Sequence, residues 1–262
     1  MPLFEGVPTV GGDVKPGIGR DFIEKTKHKY LEISDQQKGF VQPPLTWPHQ
    51  KINPVISLPH PGETPLNLVD IRNLITQRAS VREYAEKALS LAELSYLLWV
   101  TQGIKLIYGH QVTLRTVPSA GARHAFETVL LINRVGELDA GIYRYLPIEH
   151  QLETISIQPD LAGRFAAACF GQAMIMHCAV AFLWVAVPYR MTWRYGERGY
   201  RYLHLDAGHV CQNLYLASET IDAGTCAVGA FDDDALNNLL GLNEEEAFVI
   251  YLATVGKKTD AS

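Results

Sequence analysis

The apolar positions of the chain fall into two rhythms. Between Tyr200 and Ile221, Leu203, Ala207, Val210, Cys211, Leu214, Ala217 and Ile221 recur at helical spacing, and Tyr215 and Leu216 make a second side apolar. That pattern predicts one long helix lying deep in the fold, with Asp206, His209, Gln212 and Asn213 as its few polar positions. The glycine in Asp222-Ala223-Gly224 is expected to end it in a left-handed cap, and Thr225 to Val228 reads as a short strand leading into Gly229-Ala230-Phe231. Leu68, Ile71, Leu74 and Ile75 predict a second helix over 66–77. Ser90 with Glu93 is a capping box that opens a third, running to Gln102 and stopped by Gly103. Further helices are expected at Leu161 to Phe170 and Asp233 to Leu240, the latter capped by Asp232 or Asp233 and closed by Gly241.

The second rhythm is that of strands. Thr128 to Ile132, Gly141 to Tyr145 and Gln151 to Ile155 are short β-rich runs separated by turn residues, the signature of an antiparallel meander. Ala179 to Val187 and Ala247 to Val255 read as buried strands. Strands and helices that do not strictly alternate predict an α+β domain. Residues 1–62 are rich in proline and turn formers, with one short helix expected at Arg20 to Tyr30; this stretch reads as an extended N-terminal arm that wraps over the body or trails as a tail. Residues 63–262 form the domain proper.

Composition narrows the function. With 47% hydrophobic and 19% charged residues the chain can bury a sizeable core, and its net charge of −5 argues against nucleic acid as a partner. It has no uninterrupted apolar stretch of membrane-spanning length and no signal-peptide plan at its N-terminus, so a cytoplasmic protein is expected. Cys169, Cys178, Cys211 and Cys226 are scattered in apolar surroundings and read as reduced, buried residues; the histidines lack metal-ligand spacing, and no metal is expected. Rossmann, P-loop and nucleophile-elbow motifs are absent.

Three features carry chemistry. In Arg78-Ala79-Ser80-Val81-Arg82, an extended backbone would point two guanidinium groups and a hydroxyl the same way, a set suited to one phosphate; two ordinary surface arginines are the alternative. Pro118-Ser119-Ala120-Gly121 would let a ligand or another chain approach the backbone closely, or is a plain turn. Asp206 and His209 are either substrate-facing acid and base groups or a satisfied buried pair, and Gln102 reads as a solvent-facing helix end rather than a ligand contact.

Taken in order, Arg78-x-Ser80-x-Arg82, Pro118 to Gly121, Arg194-Tyr195-Gly196 with Arg198 to Arg201, Leu205 to His209, Gln212 to Tyr215, Gly224-Thr225, Gly229-Ala230-Phe231 and Gly256-Lys257-Lys258 resemble the nitroreductase superfamily. Within it they resemble the SagB-type branch, which includes thiazole- and oxazole-forming dehydrogenases. The resemblance implies an α+β fold with a central antiparallel sheet flanked by helices, an intertwined homodimer, and FMN between the subunits. It assigns Arg78, Ser80 and Arg82 to the FMN phosphate and ribityl end, with Lys257 or Lys258 adding charge. Pro118, Ser119 and Ala120 would come from the other subunit to cover the flavin ring, and Gly229 and Ala230 would present backbone N–H groups to its N5 and O4 edge. Arg194 and Tyr195 would line the substrate side. In azoline dehydrogenases of this branch the corresponding pair is Lys-Tyr, with lysine as base. Arginine stays protonated and is poorly suited to that step. The expectation is therefore an FMN-dependent oxidoreductase passing hydride between NAD(P)H or an organic donor and a small acceptor. An azoline dehydrogenase of modified-peptide biosynthesis and a non-catalytic flavoprotein assembly partner are the alternatives.

Overall fold

A computed structural model describes residues 17–109 and 111–259. Nine strands are present among them: β1 (Val55–Ser57), β2 (Ile104–Tyr108), β3 (Val112–Arg115), β4 (Phe126–Ile132), β5 (Gly141–Leu146), β6 (Gln151–Ser156), β7 (Val180–Ala186), β8 (Ala223–Val228) and β9 (Phe248–Lys257). Eight helices accompany them: α1 (Ile18–Lys25), α2 (Ile71–Gln77), α3 (Leu91–Gln102), α4 (Leu161–Ala168), α5 (Met174–His177), α6 (Pro188–Tyr195), α7 (Gly199–Glu219) and α8 (Asp233–Leu240). Seven strands form one antiparallel sheet in the order β1-β6-β5-β4-β7-β9-β8, while β2 and β3 pair as a separate hairpin.

The sheet is covered on both faces, which is why β4 and β7 are buried at every position and, apart from Glu127 and Thr128, apolar. One face packs α3 and the 21-residue α7 around Leu94, Leu98, Leu203, Leu214 and Trp184. The other packs α4, α5 and α8 around Phe165, Ile175, Leu183 and Leu236. All four cysteines are free and buried. No helix among the described residues is long and apolar enough to cross a membrane.

Local chemistry moves several boundaries. Asp70 accepts a hydrogen bond from the Asn73 backbone N–H and caps α2 there, so residues 66–70 are extended and the helix is shorter than its apolar spacing predicts. The predicted cap at Gly224 is wrong: α7 ends at Glu219, Asp222 takes the left-handed turn with φ 53°, and Gly224 lies inside β8. The capping box at Ser90 and Glu93 and the cap at Asp232 with Gly241 (φ 64°) are formed as read. Hairpin β2–β3 and helix α6 were not foreseen; Pro188 sits at the first turn of α6, where its missing N–H is harmless.

Residues 17–62 lie against the body. Buried carboxylates hold them: Glu127 on β4 accepts from the Trp47 backbone N–H at 2.7 Å, and Glu153 on β6 from that of Gln50 at 3.0 Å. The same two carboxylates are paired with Arg190 and Arg144, each at 2.6 Å. Through β1 the arm also supplies an edge strand of the sheet.

Candidate active site

Arg78 ends α2, and the chain runs extended past Ser80, which bridges to Thr225 on β8. The Val81 N–H donates to the Thr225 carbonyl at 3.0 Å. Gly224 makes this approach possible, because a Cβ there would lie 2.5 Å from that of Val81. Tyr215 of α7 organises the segment. Its hydroxyl lies 3.0 Å from the Ser80 hydroxyl and accepts from the Ala227 N–H at 2.8 Å, while Arg78 lies over its ring, 5.3 Å from the centroid. Arg78 is half-buried and Arg82 exposed, and neither forms an ion pair among the described residues. The terminal lysines differ. Lys257 pairs with Glu93 at 2.6 Å and donates to the Ile221 carbonyl, and Lys258 pairs with Glu219, so the charge of each already has a partner. Gly229 and Ala230 are exposed beyond the end of β8, with the Ala230 carbonyl accepting from Gln172 at 2.8 Å.

A second group gathers at the other end of α7. Asp206, buried, accepts from the Ser119 hydroxyl at 2.5 Å and from the Ala120 N–H at 3.2 Å, and Ser119 accepts in turn from the His124 N–H at 2.9 Å. Asp206 thus anchors the small-residue turn and does not form the buried pair with His209 that the sequence offers as one reading. Burial raises its pKa against the opposing pull of Ser119, Ala120 and the His209 charge. His209 is exposed and is not hydrogen-bonded to it. Gly121, with φ 57°, packs against Arg194 and Tyr195: a Cβ there would overlap the Tyr195 hydroxyl and lie 3.2 Å from Arg194 Cδ. Tyr195 meets Tyr202 edge-on at 4.9 Å, and Arg194 is exposed at the last turn of α6.

Behind this turn lies a buried set that spacing did not reveal. Gln102 is buried, not solvent-facing, and accepts from Arg115 at 2.8 Å. Burial lowers Arg115 to about 10 and, with the charges of Arg115 and Arg123, lowers His124 to about 3. The only sequence signal for this set was the cluster of polar residues interrupting an apolar stretch between Arg115 and Glu127.

The two groups do not face one another within one chain. Asp206 and Tyr215 are nine positions apart on α7 (215 − 206), which is about two and a half turns and about 13 Å along the axis, so they project from opposite sides.

Residues 75–257 match the family model described as "Nitroreductase family". The chain belongs to that family. Among curated relatives of this nitroreductase, the "Putative nitroreductase MJ1384" of Methanocaldococcus jannaschii is 34% identical over 193 residues, covering 73% of this chain and 93% of the relative. The "Trifolitoxin-processing protein TfxB" of Rhizobium leguminosarum bv. trifolii is 27% identical over 132 residues, 49% of this chain and 35% of that protein. Among solved structures, a putative nitroreductase from Anabaena variabilis superposes with a TM-score of 0.65 at 30% identity, over 80% of this nitroreductase and 42% of that chain.

The residues present fit a flavin mononucleotide. Arg78 and Arg82 flank Ser80 along the segment and form no ion pair among the described residues, a donor set suited to a phosphate dianion, and the open Gly229-Ala230 backbone beyond β8 carries no bulky side chain to exclude a flat ring.

Proposed function

We propose that this nitroreductase is an FMN-dependent oxidoreductase of the SagB type, working as a homodimer whose sites are shared between subunits. Arg78, Ser80 and Arg82 would hold the phosphate, with Tyr215 fixing their positions; Gly229 and Ala230 would meet the ring edge. Pro118, Ser119 and Ala120 of the partner subunit would complete the pocket, bringing Arg194 and Tyr195 with them. The observation that supports this is the placement of the two groups on opposite sides of α7, so that a second copy is needed to bring them together. Apolar side chains left exposed around α2, Leu68, Ile71 and Ile75, give such a copy a surface to cover. Lys257 and Lys258 would contribute little to the phosphate, because Glu93 and Glu219 already match them.

Bound FMN supplies two-electron chemistry, taking hydride from a donor such as NADH or NADPH and returning it to a small acceptor. The chain's own part is to place that acceptor. Arg194 offers a fixed positive charge and planar donors to an acceptor gaining negative charge, and the Tyr195 hydroxyl, pressed against Gly121, offers a donor with little freedom to move. The likeness to TfxB favours a second reading, dehydrogenation of an azoline in a modified peptide. Arg194 separates the two, since a guanidinium does not readily remove a ring proton. Steady-state turnover with a nitroaromatic or quinone acceptor, beside mass spectrometry of an azoline peptide, tests the choice. Acceptor reduction without peptide oxidation is expected, together with a drop of about tenfold or more in Arg194→Ala, equivalent to roughly 1.4 kcal/mol in the barrier. Peptide oxidation at a matching rate would reverse the assignment.

A further inference from the structure

Two arginines beside the small-residue turn have no carboxylate partner among the described residues. Arg123 is 5% exposed, yet among the described residues its hydrogen bonds run to carbonyl oxygens, from Nε to Gly121 at 3.3 Å and from a terminal nitrogen to Gln111 at 3.4 Å. Arg194 is exposed, and its Nε lies 3.2 Å from where a Gly121 Cβ would be. The two side chains therefore bracket one glycine. Neither is in an ion pair among the described residues. Each is instead laid over an aromatic ring, Arg123 at 5.4 Å from Trp193 and Arg194 at 5.6 Å from Tyr195, which fixes the plane of a guanidinium without neutralising it.

The neighbouring arginines are used differently. Arg198 donates to the Thr26 carbonyl at 2.8 Å and Arg201 to the Thr26 hydroxyl at 2.6 Å, so this pair fastens the segment after α1. The nearby carboxylate Asp206 spends its oxygens on Ser119 and Ala120. Burial, and after it the charge of Arg194, pulls Arg123 below the usual guanidinium range. Holding two like charges together in this way is unfavourable, and a bound anion would relieve it.

We propose that Arg123 and Arg194 select the substrate of this site by charge, and that the substrate carries an oxyanion, a carboxylate or a phosphate. The inference rests on the reading of the Arg194 end as the substrate side. Arg194 contacts the oxyanion through its planar fork. Arg123 is a positioning residue: from behind Gly121 it adds positive potential and keeps Trp193 and the turn in place. Gly121 has no side chain to hold the anion away.

The test is calorimetric binding, which needs no turnover, on the full-length protein supplemented with FMN. Three matched probes are compared: 4-nitrobenzoate, 4-nitrophenyl phosphate and the neutral 4-nitrobenzamide. At least one anion should bind about tenfold or more tightly than the amide, the preferred anion showing which oxyanion is taken, and added salt should shrink the difference. Arg194→Gln should abolish the preference and Arg194→Lys should keep part of it. Arg123→Gln should also lower the preference, with Arg123→Lys restoring it, a rescue that a merely structural role would not give. Equal binding of all three probes by wild type, or a preference that survives Arg194→Gln, would overturn the proposal. If the anion preference holds while no donor reduces the protein, the oxidoreductase reading fails and the charge selection stands.

Discussion

Asp206 on the central helix accepts the Ser119 hydroxyl at 2.5 Å and, through its other oxygen, the Ala120 N–H at 3.2 Å, so one buried carboxylate holds the turn that packs against Arg194 and Tyr195. Removing it strands two donors. Asp206→Ala is expected to cost about 2 to 4 kcal/mol of stability, since hydrogen bonds to a charged group are worth about 1.5 to 3 kcal/mol each and are only partly replaced by water. Urea unfolding of the two proteins measures this directly. A loss under about 0.5 kcal/mol would mean that the turn is held by other contacts.

The phosphate assignment predicts a difference between two flavins. FMN and riboflavin share the ring and ribityl chain and differ in the phosphate, so Arg78 and Arg82 should favour FMN in wild type. Arg78→Ala combined with Arg82→Ala should narrow the FMN-to-riboflavin affinity ratio by about tenfold or more, with riboflavin binding little changed. Fluorescence titration of both flavins gives the ratio. Equal weakening of both would point to loss of the fold around Tyr215 instead.

His124 makes stability depend on pH in a definite direction. Its folded pKa is depressed to about 3 by burial and by the charges of Arg115 and Arg123, against about 6.5 in an unfolded chain. The unfolded state therefore binds the proton more tightly. The neutral side chain's contribution is fully present above about pH 6.5 and is lost as pH falls from there toward 3, by on the order of a few kcal/mol in all. Carboxylates titrate over part of the same window, so the check is the difference between wild type and His124→Gln. The variant should show a shallower loss between pH 6.5 and 4.5; parallel curves would contradict the assignment.

Much of this architecture was legible along the chain because the sheet is buried on both faces and α7 is long. Strands β4, β7 and β9 read as apolar runs, and the stripe from Leu203 to Ala217 could only be a helix facing a core. What spacing could not show were choices made by partners distant in sequence. Gly224 looked like a helix cap, yet its small size serves the approach of Val81 from more than a hundred residues away. Gln102 looked like a helix end facing water, yet Arg115 donates to it from the buried side. Lys257 was one of two lysines expected to add charge at the phosphate, yet Glu93, whose other oxygen caps α3, already pairs with it. The extended course of the chain past Ser80 was readable because Arg78, Ser80 and Arg82 are local and alternate; Tyr215, whose hydroxyl meets that of Ser80, was hidden as one more apolar position on α7.

The central claim is that this nitroreductase binds FMN and passes electrons through it. An absorbance spectrum of the purified, FMN-supplemented and dialysed protein, followed by anaerobic addition of NADH and then NADPH, tests it most directly. The account predicts retained flavin bands near stoichiometric occupancy that bleach with at least one nicotinamide donor and return when a small acceptor is added. A protein that loses all FMN on dialysis, or that keeps it unbleached with both donors, would contradict the account.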